Sequence, residues 1–268
     1  MTSAIPGSEL HRVHAFLSDF DRRQAARTVD FPGGFAAFDD AYPLSRGNNH
    51  VLVDGETDAE ALPARTEELM GHLPYRHAHV LDEAVAAACL GPMSRAGYQH
   101  TASLLMCHTG PVEARGGARE VDLDALRGPV TASWHRIAPQ AAPEHVHDLV
   151  ERRAARLRGA EVVRFLASYG PAGEVAAWAD LYLDPASGVA QIEDLVTDGA
   201  HLGQGHAGAV LDTALRLAAD AGCTTRFLTA RVNDWPRRWY ARKGFETIGT
   251  MSRFGRPEVS DGPRFRTA

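Results

Sequence analysis

A run of closely spaced glycines, Leu202-Gly203-Gln204-Gly205-His206-Ala207-Gly208, lies between a strand-like segment and an amphipathic helix. Residues 189–197 before it favour a strand, and residues 226–232 after the helix favour another. The helix is predicted from an apolar stripe, and Gly222 supplies the left-handed residue that closes it. The stripe consists of Val210, Leu211, Ala214, Leu215, Leu217 and Ala218. This strand, loop, helix, strand order requires a mixed α/β fold.

Glycines at such a junction let the backbone approach a ligand closely, and the free N–H groups of the first helical turn favour phosphate. The loop therefore predicts a pyrophosphate cradle, although a glycine-rich turn can also simply form the corner. The same residues fit the dinucleotide pattern Gly-x-Gly-x-x-Gly. Two features count against a nicotinamide or flavin site. Six residues, Asp198 to Gly203, follow the strand, whereas the dinucleotide fold runs straight from the strand into the first glycine, and Thr229-Ala230-Arg231 stands where an acid is expected.

The remainder of the C-terminal part has further strand and helix signals. Residues 162–169 and 174–183 form a predicted hairpin around Gly170-Pro171-Ala172-Gly173, and residues 144–158 before it favour a helix. Asp234-Trp235-Pro236 starts a short helix that ends at Gly244. A last strand is predicted over residues 245–254.

Residues 109–120 combine glycine, proline and charge without an apolar period, which is typical of a linker. We therefore predict two domains, residues 1–120 and residues 129–268. Helices are predicted over 58–73 and over 84–90, the second ended by Gly91-Pro92, and a strand over 102–107. The N-terminal domain is thus α/β.

Composition limits the classes of partner. The net charge is −6 and the basic residues are not clustered, so neither nucleic acid nor a membrane surface is an expected partner. The three cysteines, Cys89, Cys107 and Cys223, form no metal or disulfide pattern. With no signal-like or membrane-spanning apolar run, we expect a cytoplasmic protein.

The stretch from Gln191 to Gly249 resembles the GCN5-related N-acetyltransferase (GNAT) superfamily. Members show a strand, an Arg/Gln-x-x-Gly-x-Gly/Ala loop, a helix, a strand ending in Asn, and a Tyr before Lys-Gly-Phe. Here the strand is Ile192-Glu193-Asp194-Leu195-Val196-Thr197, the loop is residues 202–207, the asparagine is Asn233, and the last motif is Tyr240-Ala241-Arg242-Lys243-Gly244-Phe245. Leu202 departs from the usual Arg or Gln, and His201 and Gln204 flank it.

The resemblance implies a GNAT-like, mostly antiparallel mixed sheet flanked by helices in residues 129–268. The strand, helix, strand order from Tyr75 to Cys107 resembles a degenerate copy of the same fold without a glycine loop. A tandem arrangement is therefore expected, in which the N-terminal copy helps to shape the acceptor pocket.

The resemblance also implies roles for individual residues. The backbone amides of Leu195, Val196 and Thr197 would meet the pantetheine arm and the thioester of acetyl-coenzyme A (acetyl-CoA). The amides of the loop would hold its pyrophosphate, and Asn233 would face the pantetheine. The loop residues are Gly203, Gln204, Gly205, His206, Ala207 and Gly208. Tyr240 would protonate the departing thiolate. Read without the resemblance, Asn233 is equally a turn residue at a strand end, and Tyr240 a core residue beside Trp239.

For the general base we select Glu193, acting directly or through water, and Asp180 is the second candidate. A role as a paired carboxylate on the protein surface explains Glu193 equally well. Simple strand alternation places Gln191, Glu193 and Leu195 on one face and Asp194 on the other.

Thirteen histidines invite a metal interpretation, notably His77-x-His79 and His145-x-His147. Neither pair has further ligands at a recognised spacing, so hydrogen-bonded or solvated histidines and no metal are expected. Cys89 lies beside Ala86-Ala87-Ala88 and is predicted to be a helix packing residue rather than a nucleophile.

The predicted function is transfer of an acetyl group from acetyl-CoA to a primary amine of a small molecule or a protein. The alternative is a non-catalytic module that binds or senses acyl-CoA. The sequence leaves open the acceptor, the acyl chain length and whether the protein is a monomer or a homodimer.

Overall fold

The computed structural model describes residues 6–114 and 116–257, and its N-terminal half alternates strands with helices. In chain order its elements are α1 (Pro6–Gln24), β1 (Arg27–Phe31), β2 (Gly34–Phe38), β3 (His50–Val53), α2 (Leu62–Met70), β4 (Tyr75–Val80), α3 (Glu83–Arg95) and β5 (Gln99–His108).

The C-terminal half has the same kinds of element. They are β6 (Arg119–Val121), α4 (Leu123–Ile137), α5 (Pro143–Glu151), α6 (Arg153–Arg156), β7 (Val162–Tyr169), β8 (Val175–Asp184), β9 (Val189–Thr197), α7 (His206–Asp220), β10 (Thr225–Arg231), α8 (Pro236–Arg242) and β11 (Phe245–Pro257), with a 3-10 turn at Gly199–His201 between β9 and α7.

The eleven strands within the described part of the chain form one sheet in the order β1-β2-β3-β4-β11-β5-β10-β9-β8-β7-β6. Neighbours are antiparallel except for two parallel pairs, β3 with β4 and β9 with β10, each joined by a crossover helix. Helices cover both faces. The predicted mixed, mostly antiparallel sheet flanked by helices is confirmed.

The two halves use one succession of elements. In each, three antiparallel strands are followed by a helix, a strand parallel to the third, a second helix and a final strand. This order supports a tandem duplication, which stays a prediction.

The final strands of the two halves are exchanged at the centre of the sheet. Strand β11 lies between β4 and β5, and β5 pairs with β10. Each half therefore completes the sheet of the other. The predicted linker, residues 109–120, connects β5 to β6, whose residues Arg119–Val121 already pair with β7.

The core has two main faces. On the α7 face, α7 covers Ala177, Ala179 and Leu181 of β8. On the α1 face, α1 places Phe16 and Phe20 against Tyr182 and Phe227. The sequence prediction omitted α1, although Val13, Phe16 and Phe20 recur at helical spacing. Helix α4 was also missed.

The predicted end of the second helix at Gly91-Pro92 was wrong. Helix α3 continues through Pro92 to Arg95, and Cys89 and Met93 on its inner side are fully buried. Proline removes one backbone donor and disfavours a helix interior, but burial of this apolar face outweighs that cost. Cys89 is a packing residue, as predicted.

None of the helices within residues 6–114 and 116–257 has both the length and the apolarity needed to cross a membrane.

Candidate active site

Strands β9 and β10 separate at the centre of the C-terminal half and leave a cleft. Their parallel ladder runs from Val189 paired with Thr225 to Ile192 paired with Leu228, where it ends. Beyond that point β9 stays with β8, and β10 stays with β5. A cleft of about 250 Å³ lies in the gap. It is lined by Ser103, Ile192, Glu193, Asp194, Leu195, Val196, Thr229, Ala230, Arg231, Asp234, Pro236, Tyr240 and Arg253.

A β-bulge shapes the β9 wall of this cleft. Glu193 is paired with Asp180 and Val196 with Trp178, so Asp194 and Leu195 together oppose the single residue Ala179. Asp194 has φ of 49°, in the left-handed region that non-glycine residues seldom adopt. Such a bulge redirects backbone groups and side chains at one point of a strand.

The bulge overturns the predicted division of side chains between the two faces. Asp194 bonds to Arg153 and Arg156 on the α1 face, whereas Leu195 packs into the core on the α7 face. Simple alternation along the strand predicts Leu195 on the same face as Glu193 and Asp194 on the other face. In the structure it is Asp194 that shares the face of Glu193. The extra residue shifts the alternation by one from Asp194 onward.

Two arginines of α6 hold the bulge in place. Arg153 donates to Asp180 at 3.2 Å and to Asp194 at 2.9 Å, and Arg156 donates to the same carboxylates at 2.5 and 2.8 Å. The Tyr182 hydroxyl donates to Asp180 at 3.1 Å. Burial disfavours ionisation of Asp194, but Arg156, Arg153 and Arg152 outweigh it and hold the pKa of that carboxyl well below its usual range.

This ion cluster was missed in the sequence, although Arg153 and Arg156 stand three residues apart within a predicted helix. Asp180, the second candidate for the base, is fully buried between the two guanidiniums. A carboxylate so held serves as a counter-ion, because its lone pairs are already occupied.

Glu193, the selected base, lines the cleft. Its Oε2 accepts a hydrogen bond from Gln191 Nε2 at 2.8 Å. Burial raises the pKa of Glu193, and the negative charge of Asp194 adds to the rise. A carboxyl with a raised pKa is a stronger base when ionised, which suits proton removal from an amine.

Tyr240 lies on the α8 side of the same cleft and is 8% exposed. Its ring packs against Trp239 and Phe245, with centroids 5.2 and 5.8 Å away. Burial raises the pKa of the phenol, and the charges of Glu193 and Asp194 raise it further. The hydroxyl is therefore protonated at neutral pH. Tyr240 is thus a core residue that also lines the cleft, and its role as proton donor stays a prediction.

The glycine loop follows β9 after the 3-10 turn, and its residues 202–205 are exposed to solvent. Gly203 and Gly205 have φ of 75° and 88°, and no atom lies within 4 Å of the position where either Cβ would stand. Helix α7 starts at His206, and the first backbone bond after the loop runs from Ala209 N to Gly205 O. The amides of the first helical turn are thus available to a phosphate, and the loop leaves room for one.

The side chains in and beside the glycine loop differ in their contacts and exposure. His206 Nδ1 lies 2.8 Å from Ser168 Oγ, so His206 anchors the start of α7 to β7. Leu202 is 64% exposed. Lys243 Nζ lies 3.5 Å from the position of a Gly208 Cβ and 3.4 Å from Asp212. Lys243 therefore adds a cation beside the loop, a role that the motif analysis did not assign.

Asn233 lies in the turn between β10 and α8, where its side chain is exposed. Its neighbour Asp234 lines the cleft and accepts a hydrogen bond from the Trp235 amide at 2.7 Å. The structure thus places Asn233 at the rim, next to the cleft rather than in its wall.

The histidine pair His77-x-His79 gains neighbours that the sequence did not reveal. His50 stacks on His79 with ring centroids 4.3 Å apart, and its Nε2 lies 2.9 Å from Asp21 Oδ2. Possible ligand atoms of Asp21, His50 and His79 lie within 4.8 Å of one another. Three donors could contact a divalent cation, but Arg253 occupies the strand position paired with His79. The expected absence of metal stays a prediction.

Comparisons with known proteins agree with this geometry. Residues 130–245 match the model of the Acetyltransferase (GNAT) family. No protein of curated function matches the sequence significantly. A GCN5-related N-acetyltransferase from Kribbella flavida has the same fold, with a TM-score of 0.61 and 17% identity over 92% of this chain and 95% of its own.

Two further solved structures share the fold across most of both chains. A conserved protein of unknown function from Staphylococcus epidermidis has a TM-score of 0.61 at 12% identity, covering 86% of this chain and 93% of its own. A GCN5-related N-acetyltransferase from Sphaerobacter thermophilus has a TM-score of 0.55 at 13% identity, covering 95% and 94%. The likeness therefore extends beyond residues 130–245 to the N-terminal half.

Proposed function

We propose that this chain, whose residues 130–245 form a domain of the acetyltransferase (GNAT) family, transfers an acetyl group from acetyl-CoA to a primary amine. The observation that carries the proposal is the separation of β9 from β10 at a bulge, together with the open glycine loop that follows β9 along the chain. Strand amides without a partner in the sheet can donate hydrogen bonds to the carbonyl of a thioester, and the free amides at the start of a helix can bind a pyrophosphate. The chain has both features in succession, at the end of β9 and at the start of α7.

In this proposal the pyrophosphate of acetyl-CoA rests on the amides of residues 203–208, with Lys243 nearby. The pantetheine arm enters between β9 and β10. Leu195, Val196 and Thr197 lie beyond the end of the parallel ladder but remain beside β8, and those of their backbone amides that point away from β8 are the donors available to the arm and to the thioester carbonyl. Asn233 at the rim is a further contact for the arm.

Acyl transfer requires attack by a neutral amine and a proton for the leaving thiolate. Glu193 accepts a proton from the amine, directly or through water, and the amine nitrogen forms a bond with the thioester carbon. The carbon–sulfur bond then breaks, and Tyr240 donates its proton to the thiolate. The proton lost by the amine thus balances the proton gained by the thiol.

The N-terminal half offers no equivalent phosphate site in our proposal. The junction between β3 and α2 corresponds to the glycine loop, and it carries Glu56, Asp58 and Glu60. Carboxylates there would repel a pyrophosphate. We therefore expect one acetyl-CoA per chain, bound by the C-terminal half.

A non-catalytic acyl-CoA sensor is the second candidate, and the exposed Leu202 at the usual Arg or Gln position keeps it open. The two functions separate in one experiment. Thiol release from acetyl-CoA is followed in the presence of a pooled library of primary amines, and acetyl-CoA binding is measured by calorimetry. Release that depends on amines supports catalysis, while one-to-one binding without release supports sensing.

Absence of both binding and release would contradict both functions.

We further propose a cytoplasmic location, which the three free, buried cysteines support because no disulfide is needed for the fold.

A further inference from the structure

Two arginines line the cleft on the side where the two halves meet. Arg231 ends β10 and Arg253 belongs to the exchanged strand β11. Across residues 6–114 and 116–257, neither guanidinium has a carboxylate within ion-pair distance. Arg253 donates one hydrogen bond, to Ser103 Oγ at 3.2 Å, and its Nε is buried without a partner. The cleft therefore contains two cationic groups, and one of them, Arg253, has a buried N–H donor that no described residue satisfies.

The register shows that these groups form one patch on the α1 face. Ser103 of β5 is paired with Arg231 on one side and with Met251 on the other, two residues before Arg253. Residues paired across strands or two positions apart project from the same face of a sheet. Glu193 lies on this face as well, since it is paired with Asp180 of the ion cluster. The cleft thus has a carboxylate on one wall and two guanidiniums on the other.

Among the residues that the structure describes, the carboxylates around the patch form no ion pair with it. Asp194 and Asp180 are engaged by Arg153 and Arg156, and Asp234 already accepts a bond from a backbone amide. Burial lowers the pKa of Arg253, and the charges of Glu193 and Asp21 oppose this fall only in part. Keeping a buried guanidinium unpaired is costly, whereas a bidentate contact with a carboxylate or phosphate would satisfy it.

We propose that Arg253, assisted by Arg231, binds an anionic group of the acceptor, so that the acceptor is an amine that also carries a carboxylate or a phosphate. The amine then faces Glu193 and the thioester, while the anion faces the two arginines. This inference rests on the proposed acyl transfer and names its substrate class. It also gives the exchanged strand β11 a function, because that strand brings Arg253 to the cleft.

Matched amines test the proposal. Thiol release from acetyl-CoA is measured with amino carboxylates, with amino phosphonates of the same chain length, and with the corresponding neutral amides. We expect kcat/KM to be about 10²-fold higher for an anionic amine than for its neutral counterpart, the scale of a charged hydrogen bond to a buried guanidinium. The carboxylate and phosphonate arms identify which anion is preferred.

Variants connect the preference to the residue. Arg253→Gln should remove the preference by lowering kcat/KM for the anionic amine only, and Arg253→Lys should restore part of it. The Kd of acetyl-CoA should not change in either variant. Arg216→Gln, on the exposed side of α7, is the control and should retain the full preference. Melting curves verify that Arg253→Gln is folded, and Arg253→Lys gives the answer if it is not.

The remaining outcomes distinguish the proposed acceptor class from the proposed acyl transfer. Equal rates for anionic and neutral amines in the wild type would overturn the acceptor class and leave acyl transfer intact. Loss of acetyl-CoA affinity in Arg253→Gln would also overturn it, since Arg253 would then contact the coenzyme. Failure of every amine to release thiol would instead overturn the proposed function.

Discussion

Asp180→Asn should destabilise the protein strongly, because it removes the counter-ion at the centre of the buried cluster. Asp180 is fully buried and accepts hydrogen bonds from Arg153, Arg156 and Tyr182. The asparagine keeps the volume of the side chain, but it removes the charge and replaces one acceptor oxygen by an NH2 donor. Any loss of stability therefore reports the lost charge and hydrogen bonds rather than a cavity.

The expected loss in the free energy of unfolding depends on the ion pairs that Arg153 and Arg156 keep. Breaking a buried ion pair by removing one partner costs about 3–5 kcal/mol, because the remaining charge is left uncompensated. Arg153 and Arg156 also contact Asp194, at 2.9 and 2.8 Å, and the variant keeps that carboxylate. Two cations then share one carboxylate, so we expect the low end of the range, about 3 kcal/mol in the free energy of unfolding.

Urea unfolding at neutral pH, followed by both fluorescence and circular dichroism, measures this difference from the shift in midpoint at constant slope. Asp220→Asn is the matched control, because Asp220 is 63% exposed and pairs with Arg216 on the surface of α7. An exposed pair of this kind is worth about 0.3–0.5 kcal/mol. If Asp180→Asn cost no more than the control, the cluster would not stabilise the fold and our account of the bulge would be wrong.

Four further predictions concern the cleft and its surroundings. Tyr240→Phe should lower kcat about 10²-fold with the Kd of acetyl-CoA unchanged, because only the proton donor is lost; wild-type turnover in steady-state assays would make Tyr240 a packing residue. Gly205→Glu should abolish acetyl-CoA binding in calorimetry, while Gly222→Glu should not, although both glycines have positive φ and free space around them. The pH profile of kcat/KM should rise through a pKa above the ordinary glutamate value of 4.5, since the base acts when ionised and its pKa is raised, and this rise should vanish in Glu193→Gln. Purified protein should carry substoichiometric zinc by elemental analysis, because Asp21, His50 and His79 supply only three donors; one equivalent that disappears in His79→Ala would contradict this.

The sequence by itself determined the order of elements from β7 to β11 and the place of the glycine loop. These features are local, since a glycine run and an apolar stripe act on neighbouring residues. The predicted strand over residues 189–197 has the bounds of β9, and the helix after the loop is α7. Glu193 and Tyr240, selected from motif positions, both line the cleft.

The tertiary structure alone decided what happens where segments distant in the chain meet. The bulge at Asp194 depends on Arg153 and Arg156, about forty residues earlier, and it reversed the faces predicted for Asp194 and Leu195. The exchange of β5 and β11 brought Arg253 beside Ser103 and into the cleft. Strand pairing and buried ion pairs are chosen by global burial and charge compensation, and no local periodicity encodes which partner a strand or an arginine will find.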